Sequence, residues 1–148
     1  DQAAMKAYGV SRSTTAPPEV VWSVWSDANN WSQWNSGIRN AQVDGPIAEG
    51  ATGTMTTNRG STHAVTFHDV AAPRGFRMSM TGPPLTTFTF TCEIVPEGSG
   101  STIAQHVEFS GPLGFLFAAM MGNEMAKHFV PVLDGLAVTA EARGPSTN

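Results

Sequence analysis

The sequence predicts an α+β domain in which a curved antiparallel sheet of about seven strands wraps one long C-terminal helix. Three observations predict it. Met121, Met125, Phe129, Val132, Leu133, Leu136 and Ala140 recur at steps of three and four, so they share one side of a helix, with Asn123, Lys127, Asp134 and Glu141 opposite. Runs between Ile38 and Phe109 alternate apolar with polar residues, which gives a sheet with one apolar face. Nothing else in the chain is wide enough to cover that helix, so the two surfaces must meet. Each large apolar side chain buried between them is worth roughly 1.5–3 kcal/mol.

Lys6 to Thr15 has the small and β-branched residues of a strand. Ala16-Pro17-Pro18-Glu19 opens a helix, with Thr15 as its N-cap, proline in the first turn and Glu19 at the positive end. Val21, Trp22 and Trp25 form its apolar side. Asp27 to Asn30 breaks it, and Trp31 and Trp34, three apart, mark a second short helix. Ile38 to Val43 is a strand followed by turns at Asp44-Gly45-Pro46 and Glu49-Gly50. Thr52 to Arg59 and Thr62 to Val70 flank the hairpin signal Gly60-Ser61. After a turn at residues 72–75, Phe76, Met78 and Met80 alternate with polar residues until Gly82-Pro83-Pro84. Phe88, Phe90, Cys92 and Ile94 alternate with threonines and Glu93. Glu97-Gly98-Ser99-Gly100 then leads into Thr102 to Ser110. The final helix runs from Leu113 to Arg143, stopped by Gly144-Pro145, and Pro131 should kink it because it lacks an amide donor.

A chain of 148 residues with 14% charged side chains and no internal repeat makes one domain, residues 1–148, with a real core. Residues 1–5 and 144–148 are expected to be flexible ends, with Met5 a guess at the natural start. A net charge of −4 argues against a nucleic-acid partner. The one cysteine, Cys92, forbids an internal disulfide and points to a reducing, cytoplasmic setting; it shares a strand face with Phe90 and Ile94, hence buried and inert. No apolar run is long enough to span a membrane. The longest, Leu113 to Met121, is the surface a homodimer would use.

The stretches Ala16-Pro17-Pro18-Glu19-Val20-Val21-Trp22, Asp27, Trp31-Ser32-Gln33-Trp34, Gly37-Ile38, Gly50 with Gly53, Val70-Ala71-Ala72-Pro73-Arg74, Gly100-Ser101-Thr102 and Leu133-Asp134-Gly135-Leu136 cover nearly the whole chain. In this order and spacing they resemble the START-like (SRPBCC) superfamily, and within it the polyketide cyclase/dehydrase and lipid-transport group. The resemblance implies a helix-grip fold whose sheet and long helix enclose an oily void large enough for a guest molecule. It also implies hydrophobic ligands such as lipids, polyketides, sterols and plant hormones, and in some members cyclisation or dehydration of polyketide chains. The aromatic cyclases of the group carry polar cavity residues, including an arginine in the hairpin region. Arg59 lies near such a hairpin here, in surroundings that do not match, so the resemblance carries no role to it.

Strand parity sorts the side chains. Met55, Phe67, Met78, Met80, Phe88, Phe90, Gln105 and Val107 face inward, and Met121, Met125 and Phe129 face them from the helix; together these are the expected ligand-binding residues. His63, inward with Val65 and Phe67, is the candidate general base, or a half-solvated histidine at a hairpin end. Arg59, inward with Met55, is the candidate that would hold a carboxylate or enolate, or a surface arginine. Gln105 must find either a ligand or a neighbour, since an inward amide needs hydrogen-bond partners. Glu124 and His128, four apart on the helix, make a solvated pair or half a metal site; no third ligand has suitable spacing, so no metal is expected, and no cofactor. Phosphate loops, nucleophile elbows and Cys–His pairings are absent. The function expected is binding of a small hydrophobic or aromatic molecule; a polyketide cyclase or dehydratase using His63 and Arg59 is the alternative.

Overall fold

The computed structural model describes residues 8–144. The expected ends at 1–5 and 145–148, the guess at Met5, and the first two residues of the strand begun at Lys6 lie outside them.

In chain order the elements are β1 (Gly9–Thr14), α1 (Pro18–Trp25), a 3₁₀ helix (Ala28–Gln33), β2 (Ile38–Val43), β3 (Thr52–Thr57), β4 (Thr62–Ala71), β5 (Gly75–Thr81), β6 (Thr87–Glu97), β7 (Gly100–Ser110) and α2 (Gly114–Arg143). The seven strands form one antiparallel sheet in the order β1-β7-β6-β5-β4-β3-β2. Six follow one another as a meander. β1 joins the far side of β7, so the strand that opens the fold pairs with the strand that precedes α2. This is the antiparallel sheet on a long terminal helix that the alternation predicted, in the helix-grip arrangement that the resemblance implied.

Register turns the alternation into rows. Val65, Met80, Phe88 and Phe109 stand opposite one another; so do Phe67, Met78, Phe90 and Val107, and then Phe76, Cys92, Gln105 and Val10. These rows form the inner face. Most of their apolar members are buried and Phe67 and Val107 fully so. α1 and the 3₁₀ helix cover one end of that face with indoles. Trp31 packs on Phe67 and Phe76, and Trp25 meets Phe76 edge-on at 5.9 Å. Trp31 also donates its indole N–H to the Trp25 carbonyl at 2.9 Å, which ties the two short helices together.

α2 lies across β7, β1 and α1. Ala126, Phe129, Leu133, Leu136, Ala137 and Ala140 are its buried stripe. The helix is continuous through Pro131, which is exposed like Lys127. Water can therefore serve the Lys127 carbonyl that proline leaves bare, and the interruption costs less than a buried one would. Two glycines decide how closely the helix sits. A Cβ at Gly135 would overlap the Trp34 carbonyl oxygen, and one at Gly122 would strike the Tyr8 ring. At the start of α2, Phe115, Leu116 and Met120 stay exposed, so part of the Leu113 to Met121 run is uncovered in the single chain.

Two local expectations change. Thr15 is not the cap of α1. Pro17 is, with no side-chain bond, while the Thr14 hydroxyl accepts the Ala16 N–H and donates to Glu141 at 2.7 Å. β3 ends at Thr57 rather than Arg59, because the Gly60 N–H bonds back to the Thr57 carbonyl and Gly60 takes a φ of +95° that closes the turn.

Candidate functional site

Between the indoles of the short helices and the third row of the sheet lies a cavity of about 40 Å³. Trp25, Trp31, Trp34, Asn35 and Ile38 line it from above; Phe76, Met78, Phe90, Cys92 and Gln105 line it from the sheet. It holds about one water, against ~300–1,000 Å³ for a drug-sized ligand site. The guest-sized void expected between sheet and helix is therefore closed in this conformation. The reason is on α2: Gly122, Gly135 and the small side chains of Ala126, Ala137 and Ala140 let the helix settle onto β1, β7 and the 3₁₀ helix, and Phe129 fills against Phe90 at 6.1 Å. A wider groove, about 660 Å³, runs along β2 and β3 by Asn29 and Asp44; it is shallow and open to solvent, with no convergent chemistry.

Of the residues expected at a site, Met78, Phe90 and Gln105 line the cavity. Phe67 is buried beside it under Trp31. Met55, Met80, Phe88 and Val107 are buried in the same inner face, toward its other end or its centre. Met121 and Met125 are half-buried against the core, and Phe129 is buried. The catalytic candidates do not join them. Arg59 is exposed in the β3–β4 turn, beyond the end of its strand. His63 has the inward parity but stands at the rim, with its Nδ1 3.2 Å from the Thr81 carbonyl, and it does not line the cavity. Neither is among the residues that line the cavity under the tryptophans. Glu124 and His128 are both exposed on the helix: His128 Nδ1–H donates to the Glu124 main-chain carbonyl, while the Glu124 carboxylate meets Lys127 at 3.8 Å. Among the described residues no three His, Cys, Asp or Glu side chains cluster as a metal site would require.

The site residues not singled out are Asn35, Ile38, Phe76, Cys92 and which indoles take part. Strand parity carries a signal for two of them, since Phe76 and Cys92 are inward and pair with each other in one row with Gln105. Asn35 carries none. It sits where the 3₁₀ helix turns into β2, and only the closing of the sheet brings it toward β7.

The site is uncharged. Its one titratable group is the Cys92 thiol, which burial pushes far up, with the neighbouring Glu93 adding to the effect. The nearest ion pair on the inner face, Arg12 with Asp134 at 2.8 Å, belongs to the next rows and holds α2 to β1. The polar chemistry of the sheet faces the other way, where Arg77 meets Glu108 at 3.0 Å and His68 meets Ser79 at 2.8 Å. Uncharged indole, phenyl and thioether walls with two side-chain amides can hold a small neutral molecule. They offer nothing near neutrality to move a proton.

Solved structures share this fold at low identity, which shows the fold alone. StfQ, a di-domain ARO/CYC from the steffimycin biosynthetic pathway, superposes with a TM-score of 0.76 at 12% identity over 94% of this chain and 51% of its own, so the chain spans about half its length. TTHA0849 from Thermus thermophilus gives 0.72 at 15% identity, over 92% of this chain and 97% of its own. The norcoclaurine synthase of Thalictrum gives 0.71 at 13%, over 91% and 93%. No curated protein matches the sequence. Among the described residues no helix is long and apolar enough to cross a membrane. Residues 6–141 match the family model described as polyketide cyclase / dehydrase and lipid transport, and the chain belongs to that family.

Proposed function

We propose that the protein binds a small, uncharged, hydrophobic or aromatic molecule, lipid- or polyketide-like, between the sheet and the two short helices, in the space beneath Trp25, Trp31 and Trp34. The observation that carries this is the Gln105 side chain: it lines an aromatic cavity and has no hydrogen-bond partner among the described residues. Gln105 is half-buried and water reaches its amide, so a ligand that displaces that water has to replace its hydrogen bonds. Room comes from Met78, whose unbranched side chain repacks at low cost, and from the weakly anchored first half of α2, which leads into Phe129 against the lining residue Phe90. The lone free thiol suits a reducing compartment, and we place the protein in the cytoplasm.

The family match and the likeness to StfQ favour a second reading, a polyketide cyclase or dehydratase. Catalysis here would rest on folding the chain of the substrate for ring closure, because the cavity offers no general base. The two readings share the binding step, so binding is tested first. The neutral dye N-phenyl-1-naphthylamine, titrated with the protein, should brighten with a Kd on the order of micromolar and be displaced by neutral aromatic ketones or fatty alcohols. A dye that stays dark at every protein concentration reached would sink both readings.

A further inference from the structure

Resting on that binding reading, we infer that the pocket is specific for an uncharged ring bearing an acceptor oxygen, and that Asn35 and Gln105 are the residues that select it. Asn35 is 8% exposed. The Gly37 N–H donates to its Oδ1 at 2.9 Å, which sets the orientation of the amide and leaves the NH₂ end unspent. Its main chain is committed on both sides, N–H to the Trp31 carbonyl and carbonyl to the Ile38 N–H, so the donor is held in place. That Nδ2 has no hydrogen-bond partner among the described residues and belongs to a residue lining the cavity. Gln105 lines the same cavity from β7, fixed between Cys92 and Val10 in the sheet. One fixed donor and one amide that can donate or accept thus share an otherwise apolar space.

The chemistry of the lining excludes two ligand classes. An anion or cation would leave water with no opposite charge to meet, since no charged side chain lines the cavity. A pure hydrocarbon that displaced the water now reaching these two amides would leave them unpaired, and a site built around polar groups discriminates strongly against such a molecule. A neutral ring with a ketone, quinone or similar oxygen fits both demands. The rival account is that the two amides share one trapped water, which a space of about 40 Å³ would hold.

Calorimetric or tryptophan-fluorescence titration with 1-indanone, indane and indane-1-carboxylate separates these accounts, because the three share one ring system and differ in the oxygen or carboxylate it bears at one carbon. The native protein should bind 1-indanone about tenfold more tightly than indane, the worth of one well-made hydrogen bond, and should not bind the carboxylate. Gln105→Met, similar in shape and without the amide, should bring the ketone-to-hydrocarbon ratio toward unity by weakening the ketone alone. Asn35→Asp keeps the acceptor for Gly37 and removes the donor, and it should weaken the ketone as well; where circular dichroism shows that variant unfolded, the Gln105→Met series decides. Equal binding of ketone and hydrocarbon by the native protein would overturn the inference and leave the binding reading standing. A preference that survives Gln105→Met would overturn the assignment to these residues. If none of the three compounds nor the dye binds, the binding reading itself falls.

Discussion

Cys92 shows how far one residue's surroundings determine its chemistry. It is the sole cysteine, it stands between Phe76 and Gln105 in one inner row, and its thiol is buried at 5% exposure. Burial holds it protonated well above the usual thiol range, and the thiol form is a poor nucleophile. Iodoacetamide at mildly alkaline pH should therefore leave the native protein unlabelled by mass spectrometry and label it fully in denaturing urea. Rapid labelling of the native protein would mean that the pocket opens often without a ligand. The histidines and arginines follow the same logic in reverse. His63 and Arg59 have reactive side chains, but one stands at a rim and the other in a turn, and a reactive group distant from the cavity does no chemistry there.

At the scale of the element, α2 is governed as much by what it lacks as by its apolar stripe. Gly135 has no side chain where the Trp34 carbonyl comes closest. In an isolated helix, Gly135→Ala would help by about 1 kcal/mol. Here the methyl meets rigid backbone, and overpacking of that kind costs roughly 1–3 kcal/mol. The variant should unfold at lower urea than the native protein, with an unchanged slope. A higher midpoint would show that the helix has room to spare above the 3₁₀ turn. Gly122 makes a useful contrast, since the atoms it would strike belong to the Tyr8 ring rather than to the main chain.

For the molecule as a whole, stability is unevenly distributed along that helix. Its second half carries Phe129, Leu133, Leu136, Ala137 and Ala140, all buried, and is joined to β1 by Arg12 with Asp134. Its first half exposes Phe115, Leu116 and Met120 and only half-buries Met121 and Met125. Segments with little buried apolar contact open at low free energy. Hydrogen exchange should accordingly proceed faster across residues 114–125 than across 129–140, and a bound neutral ligand should slow the faster half. Uniform protection along the helix would place the opening elsewhere in the sheet.

The periodicities of two and of about 3.6 were enough to lay out every strand, the two short helices and the long one, because each reports which side of an element is dry. Parity also placed Gln105 inward. Parity failed for Arg59, where the turn at Gly60 ended the strand two residues early and a short-range hydrogen bond overrode the alternation. Asn35 was not legible at all, since a lone amide in a helix-to-strand corner has no pattern around it. Nor was the size of the cavity. Volume between two surfaces is a difference between large numbers, fixed by how closely backbones approach, and here that distance turned on glycines whose meaning appears only when Trp34 and Tyr8 are brought against them.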